Sequence, residues 1–141
     1  MAAVHFFAED TSYKLKNKNN LKRWIKDTIQ AEGFKLGELN YILCSDAYLL
    51  NINQQYLDHD TYTDIVTFDN SDTAGEINGD IFISVERTQE NALKFEVSPE
   101  TELHRVIIHG ALHLLGYKDK SAAHKKQMTA KEDEYLARKS F

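Results

Sequence analysis

The chain has 141 residues, 42% hydrophobic and 28% charged, with a formal net charge of −5 and one cysteine. That length suits a single domain, 1–141, with its own core. No apolar run reaches the roughly 18 residues of a transmembrane helix, so no membrane association is expected, and a lone cysteine rules out an intramolecular disulfide. The first ten residues lack the basic start of a secretory signal, so a cytoplasmic location is expected.

Residues 4–8 are apolar between polar neighbours and read as a first strand. Asn20 can cap a helix over 21–31, where Leu21, Trp24, Ile25 and Ile29 recur at helical spacing and Gly33 follows the end. A strand is expected over 39–44, closed by Cys44, which reads as a small buried residue. Ser45 caps a helix over 46–56, and 58–62 is a polar loop. The β-branched and aromatic run 63–68 is a strand, 69–75 is turn-rich, and 77–85 is a further strand that can pair antiparallel with 65–68. A helix over 86–95 follows. Ser98 and Pro99 then open a long helix, and a last helix runs over 121–138. The order β-α-β-α-β-β-α-α-α predicts an α+β (mixed α/β) domain: about four strands in a mixed sheet, with helices packed on it.

Charge is unevenly spread. Lys14, Lys16, Lys18, Lys22, Arg23 and Lys26 form one basic segment, and Lys118, Lys120, Lys125, Lys126, Lys131, Arg138 and Lys139 form another. Each alone is an ordinary solvated face; brought together, they would make a positive surface despite the overall sign.

The long helix holds the most informative stretch, His109-Gly110-Ala111-Leu112-His113-Leu114-Leu115-Gly116-Tyr117-Lys118-Asp119. Four-residue spacing puts both imidazoles on one helical face, close enough to share a metal ion. Gly116 ends the helix, so the chain can turn back and present Asp119 as a third ligand. His124 is the rival for that place. Three protein ligands leave a position for a catalytic metal-bound water. Two imidazoles and a carboxylate suit one Zn2+ best, although iron, nickel or manganese accept a similar set. Zinc proteases of the His-Glu-x-x-His type carry their general base directly after the first histidine; here Gly110 stands there, which disfavours a peptidase. Gly110 reads as a close-packing residue and Tyr117 as helix-end packing. His5, His59 and His104 lack a ligand partner at useful spacing and read as surface or packing residues.

These residues resemble the YbeY-type family of metal-dependent endoribonucleases linked to ribosomal RNA maturation. The family's helix reads His-Gly-x-Leu-His-Leu-x-Gly-Tyr-Asp-His, matched by 109–119; its Thr-Asp-Val-Leu-Ser-Phe is similar to Thr63-Asp64-Ile65-Val66-Thr67-Phe68, and its Gly-Asp-Ile strand to Gly79-Asp80-Ile81. The resemblance covers roughly residues 39–136, and the short N-terminal strand and helix also fit. It implies a single-strand-specific endoribonuclease acting on rRNA precursors in rRNA maturation and ribosome quality control, with the ribosome or ribosomal proteins as partners. By family position Asp64 and Asp80 are candidates to assist catalysis; as strand-end residues bonding loop backbone they would be structural. The chain departs from the family twice. Asp119 replaces the usual histidine ligand, which adds negative charge and should raise the pH at which bound water ionises. Leu57 stands where the family commonly has an arginine before its Thr-Asp strand, leaving Lys118 or Arg105 to contact substrate phosphate. Two other classes stay open: a metallohydrolase of another substrate, such as a peptide, and a non-catalytic ribosome-assembly factor whose metal is structural.

Overall fold

A computed structural model describes residues 3–57 and 63–141, so the polar loop expected at 58–62, with His59, lies outside the described residues. The chain runs β1 (Ala3–Glu9), α1 (Lys18–Ala31), β2 (Lys35–Cys44), α2 (Asp46–Leu57), β3 (Ile65–Asp69), β4 (Glu76–Ser84), α3 (Val85–Lys94), α4 (Pro99–Leu114) and α5 (Ala122–Ala137). This is the expected element order, and the fold is α+β.

The strands form one mixed sheet in the order β1-β2-β4-β3. β2 pairs parallel with both β1 and β4, and α1 crosses over between β1 and β2. β3 and β4 form the antiparallel pair read from the sequence, with Ile65 opposite Ile83 and Asp69 opposite Gly79. Alternate residues on one sheet face, Leu39, Tyr41 and Leu43 of β2 with Ile77, Ile81 and Ile83 of β4, enter the main core. Leu21, Trp24 and Ile25 of α1 and the apolar residues of α4 close that core from above. The opposite face is covered by α2, through a smaller cluster of Cys44, Leu49 and Val66 flanked by Phe68 and Phe82. Cys44 donates its thiol proton to the Ile83 carbonyl, 3.4 Å away. Burial, reinforced by Asp10, Asp46 and Glu9, pushes that thiol's pKa up to about 12. Among the described residues no helix is long and apolar enough to cross a membrane.

α4 lies directly on the β3–β4 hairpin. A Cβ at Gly110 would stand 3.0 Å from the side chains of Ile65 and Ile81, so glycine there sets how closely helix and sheet approach. That close approach brings the helix face carrying the two histidines beside the start of β3.

Several boundaries differ from expectation, each for a local reason. Asn20 does not cap α1: it lies inside the helix, which begins at Lys18. Asn17 precedes it with φ 59°, a left-handed conformation that asparagine tolerates, and makes no side-chain cap hydrogen bond. The Leu21 amide already donates to the Asn17 carbonyl at 2.9 Å, closing the first turn. β2 starts at Lys35, not at 39, because its register shifts between Leu36 and Leu39. In that irregularity the Glu38 amide donates to Asn78 Oδ1 at 2.7 Å. A bulge breaks period-two alternation and hides the start of the strand. Val85 belongs to α3, since the Ser84 hydroxyl accepts the Arg87 amide at 3.1 Å and caps that helix. Ser45 and Ser98 cap as expected, accepting the amides of Tyr48 and Thr101, while Ser121, read as the first residue of the last helix, instead caps it by accepting the His124 amide.

Candidate metal centre

His109 and His113 stand one turn apart on α4 with ring centroids 4.6 Å apart. The helix stops at Leu114, and Gly116, at φ 108°, reverses the chain. The Gly116 and Tyr117 amides donate back to the His113 and Leu112 carbonyls at 3.0 and 3.1 Å, which fixes the turn. The loop then returns Asp119 across the helix end. Its Oδ2 lies 3.3 Å from His109 Nε2 and 3.2 Å from His113 Nε2. All three ligand atoms fall within 4.8 Å of one another. A tetrahedral ion with bonds of about 2.1 Å would space neighbouring ligand atoms by about 3.4 Å. The donor set therefore fits a metal ion.

A fourth residue completes the arrangement. His109 Nδ1 lies 2.5 Å from Glu132 Oε2 of α5. The other Glu132 oxygen accepts from Arg105 at 2.8 Å, and Arg105 also donates to Asp133 at 2.6 Å. With Nδ1–H held by a carboxylate, His109 presents its Nε2 lone pair toward Asp119, the orientation a metal ligand needs. Burial by itself would lower the His109 pKa; the hydrogen bond and charge of Glu132, with Asp119 and Asp64, outweigh it, and the pKa is raised.

The spacing argument for α4 did not identify Glu132, which lies in the charged run Lys131-Glu132-Asp133-Glu134. A usable signal is present, however. Met128, Glu132 and Tyr135 are the buried residues of α5, at spacings of four and three. The glutamate thus occupies a core-facing helical position, where an unpaired charge would be costly.

The ligands open into a cleft of about 670 Å3 that is also lined by Asp64, Phe95, Glu102, Arg105, Lys125 and Glu132. Burial raises the Asp64 pKa, with the His109 charge opposing it. Burial likewise raises that of Glu102, reinforced by Asp64. Asp80 is placed elsewhere: its carboxylate accepts from the side-chain amides of Asn40 and Asn70 at 3.0 and 3.2 Å, a structural role tying β2 and the β3–β4 turn together. Arg105 reaches the cleft wall already engaged by two carboxylates. Lys118 and His124 line a neighbouring groove with Glu32 and Tyr117, and His124 is not part of the ligand group. Leu57 is the last residue of α2. His104 is buried, as a packing residue should be.

The loop bearing Asp119 is anchored from below. Tyr117 donates its hydroxyl proton to Glu32 at 2.5 Å, while Tyr135 and Lys131 of α5 bond the other Glu32 oxygen. Burial pushes the Glu32 pKa upward, but these hydrogen bonds and the Lys131 charge hold it below the usual carboxylate value. One carboxylate at the end of α1 thereby joins that helix, the ligand loop and α5.

The family model described as endoribonuclease YbeY matches residues 5–140. The chain belongs to that family. The match takes in the N-terminal strand and helix that also fit the resemblance, and extends it to the last residues after α5. A relative from Cytophaga hutchinsonii, named endoribonuclease YbeY, is 49% identical over 138 residues, covering 98% of this chain and 96% of its own. A relative of the same name from Flavobacterium psychrophilum is 50% identical over 130 residues, covering 92% of each chain. The solution structure of a Thermotoga maritima protein superimposes with a TM-score of 0.65 at 31% identity, over 94% of this chain and 86% of the other.

Proposed function

We propose that this YbeY-family protein is a metal-dependent endoribonuclease that cuts single-stranded RNA, with rRNA precursors as substrates, and that it serves rRNA maturation and ribosome quality control in the cytoplasm. The observation that carries the reading is the convergence of His109, His113 and Asp119 at the mouth of an open cleft in a YbeY-family fold. A bound ion, with Zn2+ favoured by the two-imidazole, one-carboxylate set, would supply Lewis acidity toward a phosphoryl oxygen and lower the pKa of its water. Glu132 holds the His109 ring and its tautomer. Asp64 faces the same cleft, and its burial keeps a proton more tightly than an exposed carboxylate would, which suits proton exchange at the reacting phosphate. Lys125 supplies positive charge on the cleft wall beside Arg105, the place expected for Lys118 or Arg105. Gly110 leaves α4 without the general base of a helix-borne peptidase site.

The test is RNA cleavage by purified protein with its metal quantified, comparing wild type with His113→Ala. One metal per chain and cleavage of single-stranded RNA, both lost in the variant, is the expected result. A protein that holds its metal yet cuts no RNA at any pH would instead be a ribosome-assembly factor with a structural ion.

A further inference from the structure

The end of α3 contradicts two ordinary rules of folding in one place, at the rim of the metal-ligand cleft. The first concerns exposure. Leu93, Phe95 and Val97 are 82%, 58% and 40% exposed, three of the five large hydrophobic residues left exposed among the described residues. Concentrating them within five positions makes an apolar patch that is exposed among the described residues.

The second concerns the backbone. Glu96 has φ 57°, in the left-handed region where a helix end normally places glycine. The turn is closed by three hydrogen bonds: Phe95 amide to Asn91 carbonyl at 2.9 Å, Glu96 amide to Leu93 carbonyl at 3.3 Å, and Val97 amide to Ala92 carbonyl at 3.0 Å. The last two are the paired bonds of a Schellman ending, so a strained residue is held firmly in place. Phe95 is therefore displayed on a fixed backbone. Its ring lines the same cleft as His109, His113 and Asp64. Lys94 Nζ stands 6.0 Å from the ring centroid, adding positive charge at the rim.

We propose that Phe95 is a stacking platform for one nucleobase of a single-stranded RNA whose neighbouring phosphate lies at the metal centre. This rests on the endoribonuclease reading and extends it to the origin of single-strand preference. A ring fixed at a cleft edge can stack only on a base free to leave its helix, and paired bases offer no such face. Stacking is tolerant of base identity, so the platform would select strand state more than sequence. Lys94, with its Nζ 6.0 Å from the ring centroid, would offer its charge to the backbone of the stacked nucleotide.

The test compares Phe95→Ala, Phe95→Leu and Phe95→Trp with wild type on one single-stranded oligoribonucleotide, and on copies carrying an abasic nucleotide at each position around the cut. A copy with 2-aminopurine at the sensitive position reports stacking by fluorescence quenching. Loss of the platform should raise KM roughly tenfold in the Ala and Leu variants, with the loss falling in KM more than in kcat, while the Trp variant retains wild-type KM and quenching. One abasic position should penalise wild type and leave the Ala variant indifferent. A Leu variant equal to wild type, or an abasic penalty equal in wild type and the Ala variant, overturns the platform while leaving the nuclease intact. If the variants change only self-association in sedimentation, the patch is an interface between copies and the proposal is wrong. A wild type that neither binds nor cuts the oligonucleotide refutes the nuclease reading itself, and the platform falls with it.

Discussion

At the scale of single residues, the difference between what the sequence displays and what it conceals follows from distance along the chain. His109 and His113 announce themselves because a helix converts four-residue spacing into contact, and Asp119 follows because Gly116 makes the reversal. Glu132 is joined to His109 across 23 residues: its helical spacing with Met128 and Tyr135 marks it as core-facing but does not name its partner. The carboxylate behind the histidine is nonetheless expected to govern metal retention. Glu132→Gln keeps the shape and an acceptor but removes the charge that stabilises the ring's orientation. Metal affinity should fall by roughly 10- to 100-fold, measured by competition with a chromophoric chelator. An unchanged affinity would mean that Glu132 serves only to hold Arg105. Asp64 and Asp80 show the same lesson from the other side: Asp64 does sit at a strand end, just before β3, whereas Asp80 lies in the middle of β4, and only the tertiary fold turns the first toward the cleft and commits the second to Asn40 and Asn70.

At the scale of elements, existence and order are legible because serines cap α2, α3, α4 and α5, α1 carries its apolar residues at helical spacing, and most strands alternate. The start of β2 was not, because the bulge at Gly37 shifts the alternation that would have revealed it. Close packing of α4 on the hairpin depends on two glycines that differ in what surrounds them. At Gly79 a Cβ would lie 2.6 Å from the Phe68 carbonyl oxygen and 2.9 Å from Leu114, and the backbone atom cannot yield. At Gly110 the nearest atoms are isoleucine side-chain methyls of Ile65 and Ile81 at 3.0 Å, which can shift where a backbone atom cannot. Gly79→Ala should therefore destabilise by about 1–3 kcal/mol. Gly110→Ala should be milder, since the helical preference of alanine over glycine returns about 1 kcal/mol. Urea unfolding of both variants checks the order; a larger loss for Gly110→Ala would show that the α4 contact tolerates less adjustment than the hairpin.

At the scale of the whole molecule, the sheet order β1-β2-β4-β3 could not be read from the chain, because parallel pairing is decided by which faces the crossover helices cover. Of the two basic segments, Arg23, Arg138 and Lys139 line one groove, together with Asp27. The metal-ligand cleft, in contrast, gathers Asp64, Glu102, Asp119 and Glu132. The same C-terminal region sets an acid sensitivity. His104 is 1% exposed, and Lys139 Nζ donates to its Nδ1 at 2.5 Å. Burial, then the Lys139 charge, lowers the His104 pKa to about 4 against a weaker opposing pull from Glu100. An unfolded histidine titrates near 6.5, so between these values the unfolded chain binds more protons than the folded one. Stability conferred by the neutral ring is full above about 6.5 and is lost as pH falls through 4, a total of about 3 kcal/mol. Unfolding free energies measured at pH 7 and pH 4.5 should fall more steeply in wild type than in His104→Leu; parallel profiles would contradict this. A last consequence lies in Cys44, buried beneath α2 with its thiolate form suppressed. Thiol reagents such as maleimides need the thiolate and access to it. The native protein should take up far less than one equivalent of such a reagent over minutes and a full equivalent in denaturant. The wild-type background is thus already silent to labelling, and a cysteine placed on the surface beside the cleft could carry a fluorophore without first deleting the native one.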